Sequence, residues 1–174
     1  MSRPNIILIG LMAVGKSTVG RLLADALGFR FYDADQVIEE RAGAPVSWIF
    51  DVEGEAGFRY REQQVIEDLT REEGIVLATG GGAVLRPANR AALAERGVVV
   101  HLDSPVERLI ERTRKDRKRP LLRQGNPREV LTRLAAERGP LYQEIADYRF
   151  VTDRQGAKTL AREIEKRLRD DGVL

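Results

Sequence analysis

Residues 5–27, "NIILIGLMAVGKSTVGRLLADAL", pass from a short apolar run through two glycines and a lysine into a helical pattern. The apolar run at residues 5–9 ends at Gly10 and is typical of a strand buried on both faces, as in a parallel sheet. Apolar side chains then recur at helical spacing as far as Gly28, a residue type that commonly ends a helix. The stretch predicts a strand, a tight turn and a helix in succession.

The turn, "GLMAVGKST" from Gly10 to Thr18, matches the pattern G-x-x-x-x-G-K-[ST] between a strand and a helix. Its glycines let backbone N–H groups point at phosphate oxygens, and the helix N-terminus adds partial positive charge. We predict that Lys16 contacts the β- and γ-phosphates of a nucleotide and that Ser17 ligates Mg²⁺. A glycine turn with a solvated lysine is the alternative. The predicted nucleotide-binding residues of the turn are Ala13, Val14, Gly15, Lys16, Ser17 and Thr18.

Further apolar runs extend the alternation of strands and helices. Strands separated by helices of this length favour a parallel sheet that is covered on both faces. At 174 residues the chain is too short for two ordinary domains, so residues 1–174 are predicted to form one α/β domain in three layers. The other four strands of the predicted five-stranded parallel sheet lie at 29–32, 74–78, 97–102 and 148–152.

Capping residues and breakers predict where the helices lie. A long helix is expected around residues 54–73, and another is expected to have Ser104 as N-cap with Pro105 at its first position. A helix that starts near Pro127 is expected to break or kink at Gly139-Pro140. The final helix has one apolar face, made of Ala157, Leu160, Ala161, Ile164 and Leu168.

The composition excludes several classes of protein. The chain is 43% hydrophobic and 32% charged, with no cysteine, one histidine and a formal net charge of +2. It therefore has no disulfides, no thiolate chemistry and no zinc site built on Cys or clustered His. No signal segment starts the chain and no apolar run approaches the ~18 residues of a membrane span, so a cytoplasmic protein without membrane attachment is expected.

A nucleotide site with Mg²⁺ needs a carboxylate, and two stretches compete for this role. Asp33 and Asp35, in "YDAD", follow the second predicted strand and lie at the carboxyl edge of the sheet, where ligands bind in open α/β folds. One can serve hydrated Mg²⁺ while the other accepts a hydrogen bond from an attacking hydroxyl, although Asp35 could also cap the next helix. Asp103 is favoured instead as part of the start of the helix at Ser104.

Six stretches together resemble the shikimate kinases, small P-loop enzymes of the nucleoside monophosphate kinase type. They are "GLMAVGKST", "FYDAD", "IFDVEGEAGFRYRE", "ATGGGAV", "RPLL" and "ERGPLY", and the likeness runs over nearly the whole chain. It implies a P-loop kinase fold with a substrate-binding subdomain at about residues 34–62 and a lid at about 112–125. One departure is Ala13, where the family often has glycine; it is expected to matter little if its φ is negative.

The resemblance implies transfer of a phosphoryl group from ATP, with Mg²⁺, to the 3-hydroxyl of shikimate. Asp35 would orient that hydroxyl, while Asp33 would hold Mg²⁺ through water beside Ser17. Lys16, Mg²⁺ and Arg119 would neutralise the charge of the transferring group. Whether Asp35 also acts as a general base stays open. ATP and shikimate are the expected partners of a monomer that binds no nucleic acid.

The acceptor site is expected on the long helix. Phe58 marks its buried side, and Glu62 falls on that same side. Arg59 lies three residues before Glu62, so a surface ion pair is one interpretation. The resemblance implies instead that Arg59 binds the acceptor's carboxylate through two parallel hydrogen bonds and that Glu62 orients it.

Two other stretches complete the expected acceptor site. Gly80, Gly81 and Gly82 would lie against the substrate, because bare backbone can approach a ligand closely; a flexible turn is the alternative. The resemblance also implies that Arg138, in "ERGPLY", is a second carboxylate-binding arginine.

The stretch "ERTRKDRKRPLLR", residues 111–123, has an Arg or Lys at seven positions. A nucleic-acid patch would need interleaved aromatics, which are missing, and a solvated run is a second alternative. The resemblance implies a lid that closes over ATP and excludes water, with Arg119 on the transferring phosphoryl group. It further implies that Arg112 lies near the nucleotide and that Arg154, in "TDRQGA", stacks on adenine.

Two competing functions remain. A kinase of the same architecture for another small hydroxy-acid, such as gluconate, would also need the paired arginines. A GTPase-type switch is disfavoured because no [NT]-K-x-D element is present. His101 and Trp48 are both assigned to packing.

Overall fold

Five strands form one parallel sheet. They lie at Ile6–Ile9 (β1), Arg30–Asp33 (β2), Ile75–Ala78 (β3), Val98–Asp103 (β4) and Tyr148–Val151 (β5). Their order in the sheet is β2-β3-β1-β4-β5. The computed structural model describes residues 3–114, 125–153 and 155–174. The predicted five-stranded parallel sheet is confirmed, and each strand boundary differs from the prediction by no more than one residue.

The helices of the described residues alternate with the strands. Within these residues, every helix is too short or too polar to cross a bilayer. The helices are α1 (Lys16–Leu27), α2 (Ala34–Ala42), α3 (Val46–Leu69), α4 (Pro87–Arg96), α5 (Val106–Thr113), α6 (Pro127–Ile145) and α7 (Ala157–Asp170).

The core lies at the centre of the sheet. All side chains of β1 and β3 are buried, because helices cover both faces of these central strands. α1 packs against α7, while α3 and α6 both pack against α4. Gly28 ends α1 in the left-handed conformation, as predicted, and α7 buries Leu160, Ala161, Ile164 and Leu168 as predicted.

One detail of the predicted helices is wrong: Pro105, not Ser104, is the N-cap residue of α5, and the Ser104 hydroxyl is buried without a hydrogen-bond partner among the described residues. Of the break or kink predicted at Gly139-Pro140, the break does not occur, because α6 runs unbroken through Pro140, although proline removes one backbone bond. The helix persists because its flanking turns are anchored by buried side chains, those of Leu134 and Tyr142 among them.

The long helix begins earlier than predicted and bends at Gly54, where φ is 73° and ψ is 177°. Two helical segments therefore meet at the glycine, which adopts this backbone conformation without steric cost. The bend brings Phe50 of the first segment onto Phe58 of the second, with ring centroids 4.7 Å apart. The packing role assigned to Trp48 is wrong, because its side chain is 48% exposed at the start of α3.

His101, in β4, is a packed core residue as predicted. Its ring lies 4.9 Å from the ring of Tyr142, centroid to centroid. Burial lowers the pKa of His101 below its ordinary value of 6.5; Asp103 opposes this shift, while Arg149 and Lys16 reinforce it. The unfolded chain therefore takes up a proton more readily than the folded chain.

We predict that acid destabilises the fold through this one histidine. The pKa of His101 is lower in the folded state than in the unfolded chain. The stabilisation that this difference provides is therefore present above pH 6.5, and it is lost as the pH falls from there towards the folded-state pKa. The free energy of unfolding should fall by at most about 1.4 kcal/mol per pH unit in that window. Urea unfolding of wild type and His101→Phe at several pH values checks this, and the variant should lack this component; identical slopes would contradict it.

Candidate active site

The turn after β1 wraps around the side chain of Lys16. The Lys16 ammonium donates hydrogen bonds to the carbonyl oxygens of Gly10, at 2.6 Å, and Leu11, at 2.9 Å. α1 begins directly at Lys16, after Gly15 in the left-handed conformation with φ 101°. The first N–H groups of α1 therefore face the space above the turn, which is the arrangement that binds phosphate.

Ala13 departs from the expectation that its φ is negative. Its φ is 66°, which places an L-residue in the left-handed region. That conformation brings Cβ close to the following carbonyl oxygen and costs about 1–2 kcal/mol. The substitution of alanine for the family's glycine therefore strains the loop.

Arg112, from the last turn of α5, holds the strained turn from outside. Its Nη1 donates to the carbonyl oxygens of Ala13, at 3.2 Å, and Val14, at 2.9 Å. Together with Thr152 and Gln155 it lines a cavity beside the loop. Arg112 therefore lies beside the phosphate loop, and its contact with a nucleotide stays a prediction.

The two carboxylates of "YDAD" have different positions. Asp33 ends β2, accepts a hydrogen bond from the Ser17 hydroxyl, and caps α2 by accepting from the backbone N–H of Gln36. The expectation that Asp35 could be the cap is thus wrong. Asp35 lies in the first turn of α2 and lines two adjoining cavities. Asp103 instead binds Arg149 at 2.7 Å and the backbone N–H of Ser104, which agrees with a structural role.

The larger of the two adjoining cavities is the phosphate cleft. It has a volume of about 640 Å³, within the range of ~300–1,000 Å³ typical of small-ligand sites. It is lined by Ala13, Gly15, Lys16, Ser17, Thr18, Asp33, Asp35, Gln36, Glu39, Val46, Thr79, Gly80 and Gly81.

The second cavity, the acceptor pocket, contains a buried ion pair. Arg59 Nη1 lies 2.8 Å from Glu62 Oε1, and the two residues are 7% and 0% exposed. The interpretation as a surface ion pair is therefore wrong. Arg59 Nη2 has a longer hydrogen bond, 3.4 Å, to the half-exposed side chain of Glu55. Burial raises the pKa of Glu62, and Arg59 opposes that shift.

The glycine segment after β3 packs directly against these charged side chains. A Cβ at Gly82 would overlap the Arg59 guanidinium, and one at Gly80 would lie 2.8 Å from the Asp35 carboxylate. A side chain at either position would therefore displace a charged side chain of the site. Gly81 lies between them and lines both cavities.

Arg138 reaches the same pocket from α6, where it is buried. Burial lowers the pKa of its guanidinium, and the nearby charge of Arg59 lowers it further. Two arginines from different helices thus face one pocket. Its lining consists of Met12, Asp35, Val46, Phe50, Phe58, Arg59, Glu62, Gly80, Gly81, Gly82 and Arg138.

The sequence interpretation missed the apolar wall of this pocket. Met12 occupies a variable position of the phosphate loop, and Phe50 lies before the bend that no pattern located. Phe58 was predicted to be buried, but its helical periodicity carries no sign that it borders a cavity. Arg119, Arg154 and nearly all of the predicted lid lie outside the described residues.

Fold and site define the class of protein. A P-loop kinase for a small acceptor has a parallel sheet, a phosphate loop at the start of a helix and a charged pocket beside that loop. This chain has all three, with the loop at the start of α1. A family model described as shikimate kinase matches residues 12–169, and the chain belongs to this family.

Individual relatives agree with this assignment. The chain is 58% identical to a shikimate kinase of Vibrio parahaemolyticus, over 95% of this chain and 96% of the relative. Its structure is similar to that of a shikimate kinase from Acinetobacter baumannii in complex with shikimate, with a TM-score of 0.95, 47% identity, and coverage of 97% of this chain and 94% of that one. A gluconokinase from Sinorhizobium meliloti shares only the fold, with a TM-score of 0.53, 19% identity, and coverage of 92% and 88%.

We predict that Ala13→Gly raises the free energy of unfolding by about 1 kcal/mol, because glycine adopts a positive φ without the Cβ clash. Urea unfolding measures the change. Ala91→Gly, at an exposed position inside α4, is the matched control and should destabilise by about 1 kcal/mol. Destabilisation by Ala13→Gly as well would contradict strain at this position.

Proposed function

We propose that this protein transfers the γ-phosphoryl group of ATP to the 3-hydroxyl of shikimate. One observation carries the proposal: the phosphate cleft and the acceptor pocket adjoin, and Asp35, Val46, Gly80 and Gly81 line both. A phosphate donor in one cavity and an alcohol in the other would meet at these four residues. Alignment of the two reactants accounts for much of the acceleration of phosphoryl transfer over the uncatalysed reaction.

The nucleotide side is assigned to the loop and its neighbours. The backbone N–H groups from Ala13 to Thr18 would bind the phosphates, with Lys16 at the β- and γ-phosphates. Lys16 already lies inside the loop, so a short reorientation of its ammonium from the Gly10 and Leu11 carbonyls brings it to a phosphate oxygen. Arg112 would border the base, and we assign Arg154 to the adenine and Arg119 to the transferring phosphoryl group.

The oxygen atoms beside the loop fit Mg²⁺. The Ser17 hydroxyl and the Asp33 carboxylate are in contact, and both face the phosphate cleft. The described residues contain no group of three or more His, Cys, Asp or Glu side chains placed to hold a metal. Mg²⁺ commonly takes one or two protein oxygens and completes its shell with water and phosphate. We therefore assign Ser17 as a direct ligand and Asp33 as a ligand through water; bound there, Mg²⁺ would neutralise charge on the phosphates.

The acceptor pocket suits a ring that carries a carboxylate. Arg59 is oriented by Glu62, and its Nη2 can exchange the 3.4 Å bond to Glu55 for a carboxylate oxygen at little cost. Arg138 adds a second guanidinium. Met12, Phe50 and Phe58 supply apolar surface, which favours the carbocyclic ring of shikimate over the open, hydroxylated chain of gluconate.

At the boundary of the two cavities, Asp35 would accept a hydrogen bond from the 3-hydroxyl and orient it towards the γ-phosphate. The Gly80–Gly82 segment would bind the acceptor through its backbone. We further propose that residues 34–62 are the acceptor-binding part of one domain; the lid expected at about residues 112–125 lies almost wholly outside the described residues. The cytoplasmic location and the monomeric state remain predictions.

We predict that Arg59→Ala weakens shikimate binding by about 100-fold or more, because two charge-assisted hydrogen bonds are lost. ATP affinity should change less than about two-fold, since the loop is untouched. Calorimetric titration with each ligand, together with the KM values, measures both effects.

Arg59→Ala leaves Glu62 buried without its partner, so Arg59→Lys is tested beside it. Lysine keeps the charge next to Glu62 but lacks the planar fork, so shikimate affinity should still fall. Arg61→Ala is the matched control, since Arg61 lies two residues away on α3 and pairs with Glu53 at the surface. Equal loss of ATP and shikimate affinity in the Arg59 variants would contradict the assignment.

A further inference from the structure

Tyr142 forms a hydrogen bond behind the acceptor pocket. It lies in α6 and is 1% exposed, and its hydroxyl donates to the carbonyl oxygen of Gly81 at 2.5 Å. Arg138 lies one helical turn earlier, and its Nη1 packs against Gly81, where a Cβ would lie 3.2 Å from it. The Tyr142 hydroxyl and the Arg138 guanidinium thus both lie against Gly81.

Residues from distant parts of the sequence therefore meet at Gly81. Gly81 and Arg138 both line the acceptor pocket, whereas Tyr142 is not among the described residues that line it. Burial raises the pKa of Tyr142 far above its ordinary value, so the hydroxyl keeps its proton and remains a donor to Gly81.

The ring of Tyr142 is itself held in place. His101 lies against it, and His101 is paired with Ile9, the last residue of β1 before the phosphate loop. A ring fixed against the central strands can hold its hydroxyl, and whatever the hydroxyl binds, in one position.

We propose that Tyr142 is a positioning residue, which locks the Gly81 backbone and the Arg138 guanidinium into one arrangement and so sets the affinity for the acceptor's carboxylate. This inference rests on the proposed function, because it requires that Arg138 binds that carboxylate. Without the hydroxyl, the Gly81 carbonyl loses its donor, and the backbone against which Arg138 packs is no longer fixed.

Tyr142→Phe tests the proposal, because it removes one oxygen atom and keeps the ring that packs on His101. The Kd for shikimate should rise about 10-fold, the effect of losing one hydrogen bond that fixes the pocket. The KM for ATP should stay within about two-fold. Tyr148→Phe is the matched control: it loses the same atom, whose partner is Asp171 at the surface, and should leave shikimate binding unchanged.

The methyl ester of shikimate separates positioning from general damage to the pocket. The ester has no carboxylate charge, so Tyr142→Phe should change its Kd by less than about two-fold. Equal weakening of acid and ester, or unchanged binding of shikimate, would overturn the role of Tyr142. A wild type that binds no shikimate would overturn the proposed function together with this inference, whereas normal wild-type binding with an unaffected variant would overturn this inference alone.

A measurement on the wild type covers the case in which Tyr142→Phe does not fold. The chain has four tyrosines, so ¹³C labelling at Cζ gives few resonances, and Tyr142 is assigned by elimination with Tyr32→Phe, Tyr60→Phe and Tyr148→Phe. Shikimate should shift the Tyr142 resonance more than its methyl ester does, because only the acid has a carboxylate that attracts the Arg138 guanidinium. Equal shifts with both ligands, or none with shikimate, would contradict the proposal.

Discussion

The candidate active site depends on the buried ion pair between Arg59 and Glu62. Removing a guanidinium and a carboxylate from water costs several kcal/mol for each ion, so such a pair needs close bonding and complete packing around it. The three-residue spacing on α3 provides the 2.8 Å contact, and the glycine segment after β3 provides the packing because side chains at Gly80 and Gly82 would fill the same space. The pair fixes the direction of the Arg59 fork, and the shape of the pocket follows from it.

The parallel sheet brings this pocket to the phosphate loop. The loop follows β1, Asp33 ends β2 and Gly80 follows β3, so all three lie at the carboxyl edge of neighbouring strands. The arginines come from helices instead: Arg59 from α3 and Arg138 from α6. On the proposed function, backbone groups would supply the phosphate side, where many oxygens need donors, and guanidinium groups would supply the acceptor side, where one carboxylate needs a fork. The division follows from the chemistry of the two ligands.

The sequence predicts the parts of this arrangement that depend on local patterns. Apolar runs located all five strands, and the glycine-lysine turn located the loop, because strand burial and turn conformation are set by neighbouring residues. Long-range packing was harder to predict. Helical periodicity placed Glu62 on the buried side of its helix but did not show that Arg59 is buried with it. Nothing local distinguishes the exposed Trp48 from a core tryptophan, or the positive φ of Ala13 from a negative one. The choice of Asp33 over Asp35 as cap likewise follows from where β2 ends, one residue beyond the predicted boundary.

The strained conformation of Ala13 persists because hydrogen bonds from two sides hold the loop in place. Lys16 binds the Gly10 and Leu11 carbonyls from within, and Arg112 binds the Ala13 and Val14 carbonyls from outside. The carbonyls of the turn are thus held by two cations, while Ala13 and Gly15 to Thr18 line the phosphate cleft. On the proposed function, a phosphate chain would meet a loop whose conformation is already fixed, so little ordering entropy would be lost on binding. The strain would then be the cost of a preorganised anion site, and Arg112 connects the loop to the C-terminal end of α5.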